Sequence, residues 1–359
     1  MEIGGRKMKG LILCGGKGSR LQPITDYIPK PLIPIANEPL IFYTIELLLN
    51  LGVEQIGIVV NEENKNIFKT KFTNRFKIDF HYIIQKESKG IANALLEAED
   101  FIGDEKFIMI LGDNFFELDL KRIMDDFLIS KSNCKLLLKT VEIPEKFGVA
   151  YVWEDKIINV EEKPKTAFSN LAITGIYGFD HNIFKACKNI GPSKSGEYEI
   201  TDAIKWMIKN GYDISYEILD GYWKDIGNHQ DLIEENIHRL TSINEYIKGH
   251  IENSSISGKV ILDETAVIYN SIIRGPIKVG LNTTIKNSYI GPYTSIGNGV
   301  NIDNSNIEAS IILDGCYISS VEMPIDYSII GEGTVIAKEN GLRKRNRLVT
   351  GKNSKIYLK

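Results

Sequence analysis

Gly15-Gly16-Lys17-Gly18-Ser19-Arg20 follows directly on a short apolar run, Leu11 to Cys14. Glycines let backbone N–H groups come close to a polyphosphate, and Arg20 adds a planar cation that can meet phosphate oxygens in pairs. A glycine-rich turn is by itself only a turn, and this one is neither GxxxxGK(S/T) nor a strict GxGxxG opening a helix. Further on, Lys30-Pro31-Leu32-Ile33-Pro34 puts a lysine in a proline-stiffened loop. A lone lysine is usually solvated, whereas one fixed by prolines can meet a phosphate. Gln85 and Asp113 also stand just after apolar runs, Phe80 to Ile84 and Phe107 to Leu111. Glu162-Lys163 taken alone is an ordinary surface charge run, and Trp223 taken alone is packing.

These residues need a scaffold, and the pattern up to Asp113 supplies one. Short apolar runs alternate with amphipathic stretches, which predicts an α/β fold with a mostly parallel sheet. Candidate strands are Leu11 to Cys14, Ile56 to Val60, Phe80 to Ile84 and Phe107 to Leu111. A helix is expected from about Glu38 to Leu51, with Leu40, Tyr43, Leu47, Leu48 and Leu51 on one face and Gly52 as its C-terminal cap. In open parallel sheets ligands collect at the carboxyl ends of strands, where the Gly15 loop, Gln85 and Asp113 lie.

Beyond about residue 250 the texture changes to Asn, Gly, Ser and Ile, with apolar residues every six positions. Ile261, Val267, Ile273, Val279 and Ile285 form one series, resumed after a one-residue slip by Ile290, Ile296 and Ile302, then by Ile307 and Leu313. Glycine follows directly in Val279-Gly280, Ile296-Gly297 and Ile330-Gly331, as at a tight corner. This period predicts a parallel β-helix whose turns stack aliphatic side chains inward. The expected domains are 8–245 and 250–359, the second ending in a C-terminal tail.

Bulk properties bound the rest. A chain of 359 residues, 43% apolar and 25% charged, suggests two globular domains. No stretch reaches the ~18 to 20 apolar residues of a membrane span, so no membrane partner is expected. MEIGGRKMKG has no apolar run of signal-peptide length, which makes a cytoplasmic location the default and Met8 a candidate functional start. Cys14, Cys134, Cys187 and Cys316 are widely separated, giving neither a disulfide framework nor a zinc motif. A net charge of −4 gives no electrostatic reason to expect nucleic acid.

The sequence resembles the sugar-1-phosphate nucleotidylyltransferase family, whose signature is a strand, then GGxGxRL, then KPLxP. The match continues through Gln85 and Gly90, Leu111-Gly112-Asp113-Asn114, Phe147-Gly148-Val149, Glu161-Glu162-Lys163-Pro164, Thr174-Gly175, Glu199-Ile200-Thr201-Asp202 and Trp223-Lys224-Asp225. Together these cover almost all of residues 9 to 245. The β-helix carrying Gly291-Pro292-Tyr293-Thr294-Ser295-Ile296-Gly297 narrows the resemblance to the long-form glucose-1-phosphate thymidylyltransferases. Likeness to hexapeptide-repeat proteins makes that helix left-handed.

The resemblance implies a Rossmann-like nucleotidyltransferase domain, with dTTP or UTP and a sugar-1-phosphate as substrates. It implies Mg2+ held by Asp113 and Asp225, Arg20 on the triphosphate and Lys30 on the transferring α-phosphate. Nucleotide contacts would come from Leu13, Gly15, Gly16, Gly18, Ser19, Arg20, Gln85, Gly90 and Asp113. Lys163 would take the sugar's phosphate and Glu162 its hydroxyls, with Gly148, Ile173, Thr174 and Trp223 completing the pocket. A homo-oligomer formed through the β-helix is also expected. Cys14 stands where alanine is common, Pro31 where short-form members have glutamine, and Tyr198 where leucine is usual. UTP- or GTP-dependent members are the alternatives. So is a bifunctional enzyme whose β-helix acetylates an amino sugar with histidine as base. Against the latter, His81, His181, His229, His238 and His250 are all read as preceding the solenoid.

Overall fold

The computed structural model describes residues 8–73 and 75–338 of the chain. Residues before Met8, expected to be peripheral, and the C-terminal tail beyond Lys338 lie outside the described residues. Strand Lys9–Leu13 is the centre of a nine-stranded sheet, parallel to Gln55–Val60 on one side and to Phe107–Leu111 on the other. Phe80–Ile84 adds in parallel beyond Gln55–Val60. The continuous Ile/Val/Leu runs suit strands covered on both faces, and Ile56, Ile58, Val59 and Val60 are fully buried.

Past Phe107–Leu111 the sheet turns antiparallel. Leu171–Phe179 pairs with Phe107–Leu111, Cys134–Thr140 and Gly148–Trp153, and Lys156–Glu162 pairs beyond Gly148–Trp153. The sheet is therefore mixed, with its parallel part beneath the glycine loop. A separate ribbon pairs Asn114–Glu117 with Tyr222–Asp225. The first long helix begins at Leu40, two residues later than its apolar pattern implied, because Glu38 and Pro39 pair with Ile35 and Pro34 in a small hairpin. It runs to Asn50, and Gly52 follows at φ +83°, the left-handed conformation a helix terminus favours.

Contacts group the chain into two compact units. The first joins the chain up to Lys17 with Ile41–Asp225, and the second joins Gly18–Leu40 with the chain from Ile226 onward.

Within the second unit three sheets of six, six and five parallel strands form a β-helix. One coil takes 17 residues, as a serine ladder shows: the backbone N–H of Ser271, Ser288 and Ser305 each donates to the hydroxyl of the serine 17 positions earlier. A strict six-residue count drifts against that coil, and one residue of drift turns a strand side chain from core to surface. Ile273, Val279, Ile285, Ile290, Ile296, Ile302 and Ile307 are core residues as expected, but the first coil places Leu262 and Ile268 inside where Ile261 and Val267 were counted. Likewise Ile312 belongs to the solenoid's central cluster, while Leu313 is buried outside that cluster. Gly280 and Gly297 are needed because corners stack: a Cβ on either would come within 3.0 Å of the next coil's backbone. His250 begins the strand His250–Glu252, which pairs with Val267–Tyr269, so one histidine belongs to the solenoid after all.

Candidate functional site

In the first unit, Leu13 ends the central strand, and its carbonyl accepts the Gly112 N–H at 3.0 Å, tying the glycine loop to the turn that carries Asp113. Gly15 follows, and a Cβ there would run into Gln85 Oε1. The Ser88 hydroxyl donates to the Gly15 carbonyl at 2.9 Å, while Gly16 is exposed with open space around it. Gln85 is buried at the end of its strand and donates to Asn93 Oδ1 at 3.1 Å, which leaves its second N–H and its carbonyl for a ligand. Gly90 sits at φ +104°, pressed against the Tyr198 backbone, whose carbonyl accepts the Ala92 N–H at 3.0 Å. No side chain could occupy position 90.

Asp113 leaves the Phe107–Leu111 strand, and Asp225 ends the ribbon strand opposite Asn114. Between them lies a residue that sequence reasoning did not single out. Asn114 is buried, and its Nδ2 donates to Asp113 Oδ1 at 2.9 Å and stands 3.4 Å from Asp225 Oδ1. Its Oδ1 accepts the Trp223 indole N–H at 2.6 Å. The amide is thus oriented by tryptophan and presents its donors to two carboxylates. Gly175 leaves room for it, since a Cβ there would lie 2.6 to 2.9 Å from three Asn114 side-chain atoms. The adjacency of Asn114 to Asp113 was the available signal.

Gly148 and Glu162 are paired partners on neighbouring strands, and a Cβ on Gly148 would meet Thr201, Glu162 and Ile173. Thr201, a second residue not singled out, donates its hydroxyl to Glu162 Oε2 at 3.2 Å. Lys163 is exposed at φ +39°, and its ammonium pairs with Glu162 Oε1 at 3.2 Å. The Phe147 and Trp223 rings, 5.2 Å apart, join this group to the carboxylate pair. Thr174 is fully buried and donates to the Leu137 carbonyl at 2.9 Å, so its hydroxyl is already used. The register between Leu171–Phe179 and Cys134–Thr140 breaks between Ile173 and Tyr177, which frees backbone there for other partners.

Two buried groups behind this wall stay neutral. Burial, and then the Glu162 carboxylate, push the Tyr177 phenol up, with Asp225 and Asp113 adding to it. Burial, and then Asp113, push the Cys14 thiol up.

In the second unit, Gly18 at φ +61° caps the single-turn helix Ser19–Leu21 and accepts the Thr25 hydroxyl at 2.9 Å. Ser19 and Arg20 are exposed, and Gly227 leaves room for the Arg20 guanidinium, which a Cβ there would approach to 3.4 Å. Lys30 opens another short helix, Lys30–Leu32, and is half-buried above Pro31, Leu32 and Ile33, which are buried.

Two carboxylates sharing one amide fit a hard divalent cation that keeps water and substrate phosphate as its other ligands. Among the described residues no group of three or more His, Cys, Asp or Glu forms an all-protein metal cage. No helix among them is long and apolar enough to cross a membrane.

A nucleotidyl transferase family model matches residues 9–242. The chain is 37% identical over 354 residues to a glucose-1-phosphate thymidylyltransferase of Streptomyces griseus, covering 98% of this chain and 99% of that one. It is 40% identical over 330 residues to the bifunctional protein GlmU of Methanocaldococcus jannaschii, covering 90% of this chain and 78% of the relative. A solved UDP-glucose pyrophosphorylase complexed with UDP-glucose aligns at TM-score 0.61 and 28% identity, covering 66% of this chain and all of that one.

Proposed function

Because the chain belongs to the nucleotidyl transferase family, and within it to the sugar-1-phosphate nucleotidylyltransferases, we propose that it joins dTTP to glucose-1-phosphate. The products are dTDP-glucose and pyrophosphate. The observation that carries this reading is the Asp113–Asn114–Asp225 cluster, where a strand end and a ribbon bring two carboxylates onto one oriented amide. End-to-end similarity to a thymidylyltransferase supports this choice of substrate pair.

A sugar-phosphate oxygen attacks the α-phosphorus in line, and the bond from that phosphorus to the bridging oxygen of pyrophosphate breaks. No covalent enzyme intermediate forms, so the protein's task is positioning and charge neutralisation. Asp113 and Asp225 hold Mg2+, which when bound offsets negative charge on the reacting phosphates. Arg20 grips the triphosphate and Lys30 the α-phosphate, while Lys163 takes the phosphate of the sugar. Glu162, fixed by the Thr201 hydroxyl, accepts from sugar hydroxyls. Gly148 and the irregular backbone at Thr174 shape the pocket. Leu13, the glycines at 15, 16, 18 and 90 and Ser19 contact the nucleotide. The enzyme works in the cytoplasm and assembles through its solenoid, whose surface exposes Ile272, Leu281 and Tyr317 at separate places.

Gln85 offers a donor and an acceptor to a pyrimidine edge. Thymine and uracil differ by one methyl, worth ~1 to 3 kcal/mol in an apolar pocket, so UTP is the weaker substrate. Equal dTTP, UTP and GTP supplied together with glucose-1-phosphate should give mainly dTDP-glucose, and a dominant GDP-sugar would sink the assignment. Gln85→Glu should raise KM for dTTP more than KM for glucose-1-phosphate.

A second reading, acetyl transfer in the solenoid, is favoured by the similarity to GlmU. Its candidate base is His250, whose side chain is 66% exposed and 3.5 Å from Glu252. Acetylation of glucosamine-1-phosphate from acetyl-coenzyme A, lost in His250→Ala, would establish it.

A further inference from the structure

The hairpin that follows Lys30 ends in an unusual tip: Ala36 at φ +48° and Asn37 at φ +63°, two consecutive non-glycine residues in the left-handed region. Turns of this kind ask for glycine or asparagine, and a strained backbone persists only where its surroundings over-determine it. The surroundings here are the helix His229–Thr241 and the solenoid, all within the second unit. Asn236 of that helix is fully buried. Its Oδ1 accepts the Ala36 N–H at 2.9 Å and the Ser295 hydroxyl at 2.8 Å, and its Nδ2 donates to the Tyr293 carbonyl at 3.2 Å. Asn37 Nδ2 donates to the Ile296 carbonyl at 2.7 Å, and Lys278 pairs with Glu38 at 3.5 Å.

The solenoid meets the hairpin on an outward-facing position. On Ile277–Val279 the two end residues are core and the central Lys278 is only partly buried. In the next coil Ser295 stands beside Lys278 in the ladder and is fully buried. Its hydroxyl donates to Asn236 Oδ1, as a covered polar group requires. What this face secures is the stretch Lys30 to Leu40, in which Pro31, Leu32 and Ile33 are already immobilised by burial.

We infer that Asn236 is a positioning residue for phosphate binding: with Ser295 and Asn37 it fixes the hairpin that sets the height of Lys30, which makes this solenoid face part of the transfer machinery. The inference rests on Lys30 acting as a phosphate clamp and extends it to residues more than two hundred positions away in sequence. Lys30 lies on a three-residue helix with no ladder of its own, and the hairpin that follows it, seated on a stack of coils, passes their rigidity to that helix. Misplacement by about 1 Å costs ~10²-fold in such reactions.

The test compares Asn236→Ala and Asn37→Gly in the full chain. Glycine accepts φ +63° without strain, so Asn37→Gly removes the bond to Ile296 while relaxing the backbone. Both variants should lose about ten- to a hundred-fold in kcat/KM for dTTP and bind it more weakly by calorimetry. KM for glucose-1-phosphate should stay within about two-fold. The control is Asn287→Gly, which cuts an exposed ladder whose amide donates to Asp303 at 2.9 Å and accepts from Asn270 at 2.7 Å, away from the covered face. It should bind and turn over dTTP normally. Folded Asn236→Ala and Asn37→Gly with wild-type dTTP affinity would overturn the inference, as would an equal loss in Asn287→Gly. If dTTP binding falls as expected while the wild type transfers to no sugar phosphate, the positioning role stands and the proposed reaction fails.

Discussion

Asn114 in the first unit and Asn236 in the second are both buried, and they solve opposite problems. Asn114 lies on a strand that its ladder already fixes, so its amide is free to orient the side chains of Asp113 and Asp225. Asn236 lies on a helix and gives its amide to the backbone and hydroxyl of other segments. The difference follows from what each unit carries. Carboxylates sit at strand ends, where register determines position. The cations Arg20 and Lys30 sit on three-residue helices, Ser19–Leu21 and Lys30–Leu32, which have no ladder and take their order from elsewhere. The carboxylate pair is thus set by secondary structure, and Arg20 and Lys30 by tertiary packing.

The largest effect that could break this division is removal of a carboxylate. Asp113→Asn should leave the fold unchanged by circular dichroism and lower kcat by ~10² to 10³. Asp225→Asn should be milder. Near-normal rates in both with Mg2+ would remove the pair from the chemistry.

A smaller effect sharpens the role of the amide. Asn114→Ala keeps both carboxylates but removes the amide shared between them, and loss of such an orienting partner typically costs ~10 to 100-fold in metal affinity or activity. Trp223→Phe, which removes the indole donor but keeps an aromatic ring beside Phe147, should cost less. Mn2+ titration followed by paramagnetic resonance reads the affinity directly, and unchanged binding in Asn114→Ala would make the residue a packing element only.

How much of this was legible in the sequence depended on whether the signal was local. Phe80–Ile84 and Phe107–Leu111 read correctly because each is a short apolar run with polar or glycine flanks. The corner glycines Gly280 and Gly297 likewise read correctly, because a neighbouring coil forbids a side chain at each. The solenoid was recognisable by its period, yet Leu262 and Ile268 were displaced by one because the coil is 17 residues and not three sixes. Glu38 and Pro39 continued a helical pattern but were taken by a hairpin whose tip is fixed from position 236. Asn236 carried no local signal at all. Trp223, packing when taken alone and a sugar-pocket residue by resemblance, also donates to Asn114, a contact visible only once the ribbon is paired.

The smallest effect concerns alkaline pH. Burial pushes the Cys187 thiol from its ordinary 9.0 up to about 12, and the Tyr82 phenol from 10.0 up to about 12. Both groups hold their protons more tightly when folded, so their stabilising contribution is complete below the unfolded values and is lost as pH rises from about 9 toward 12. The melting temperature should therefore decline between pH 8 and 10.5, less steeply in Cys187→Ala. Identical slopes would assign the decline to other groups.

The division of labour itself is tested most directly by measuring Mn2+ affinity and dTTP affinity, each in the other's absence, for Asn114→Ala, Asn236→Ala and the double variant. Asn114→Ala should weaken the metal and spare the nucleotide, Asn236→Ala should do the reverse, and the double variant should show each loss at its single-variant size within about 0.5 kcal/mol, as for independent sites. Loss of Mn2+ affinity in Asn236→Ala, or of metal-free dTTP affinity in Asn114→Ala, would contradict it.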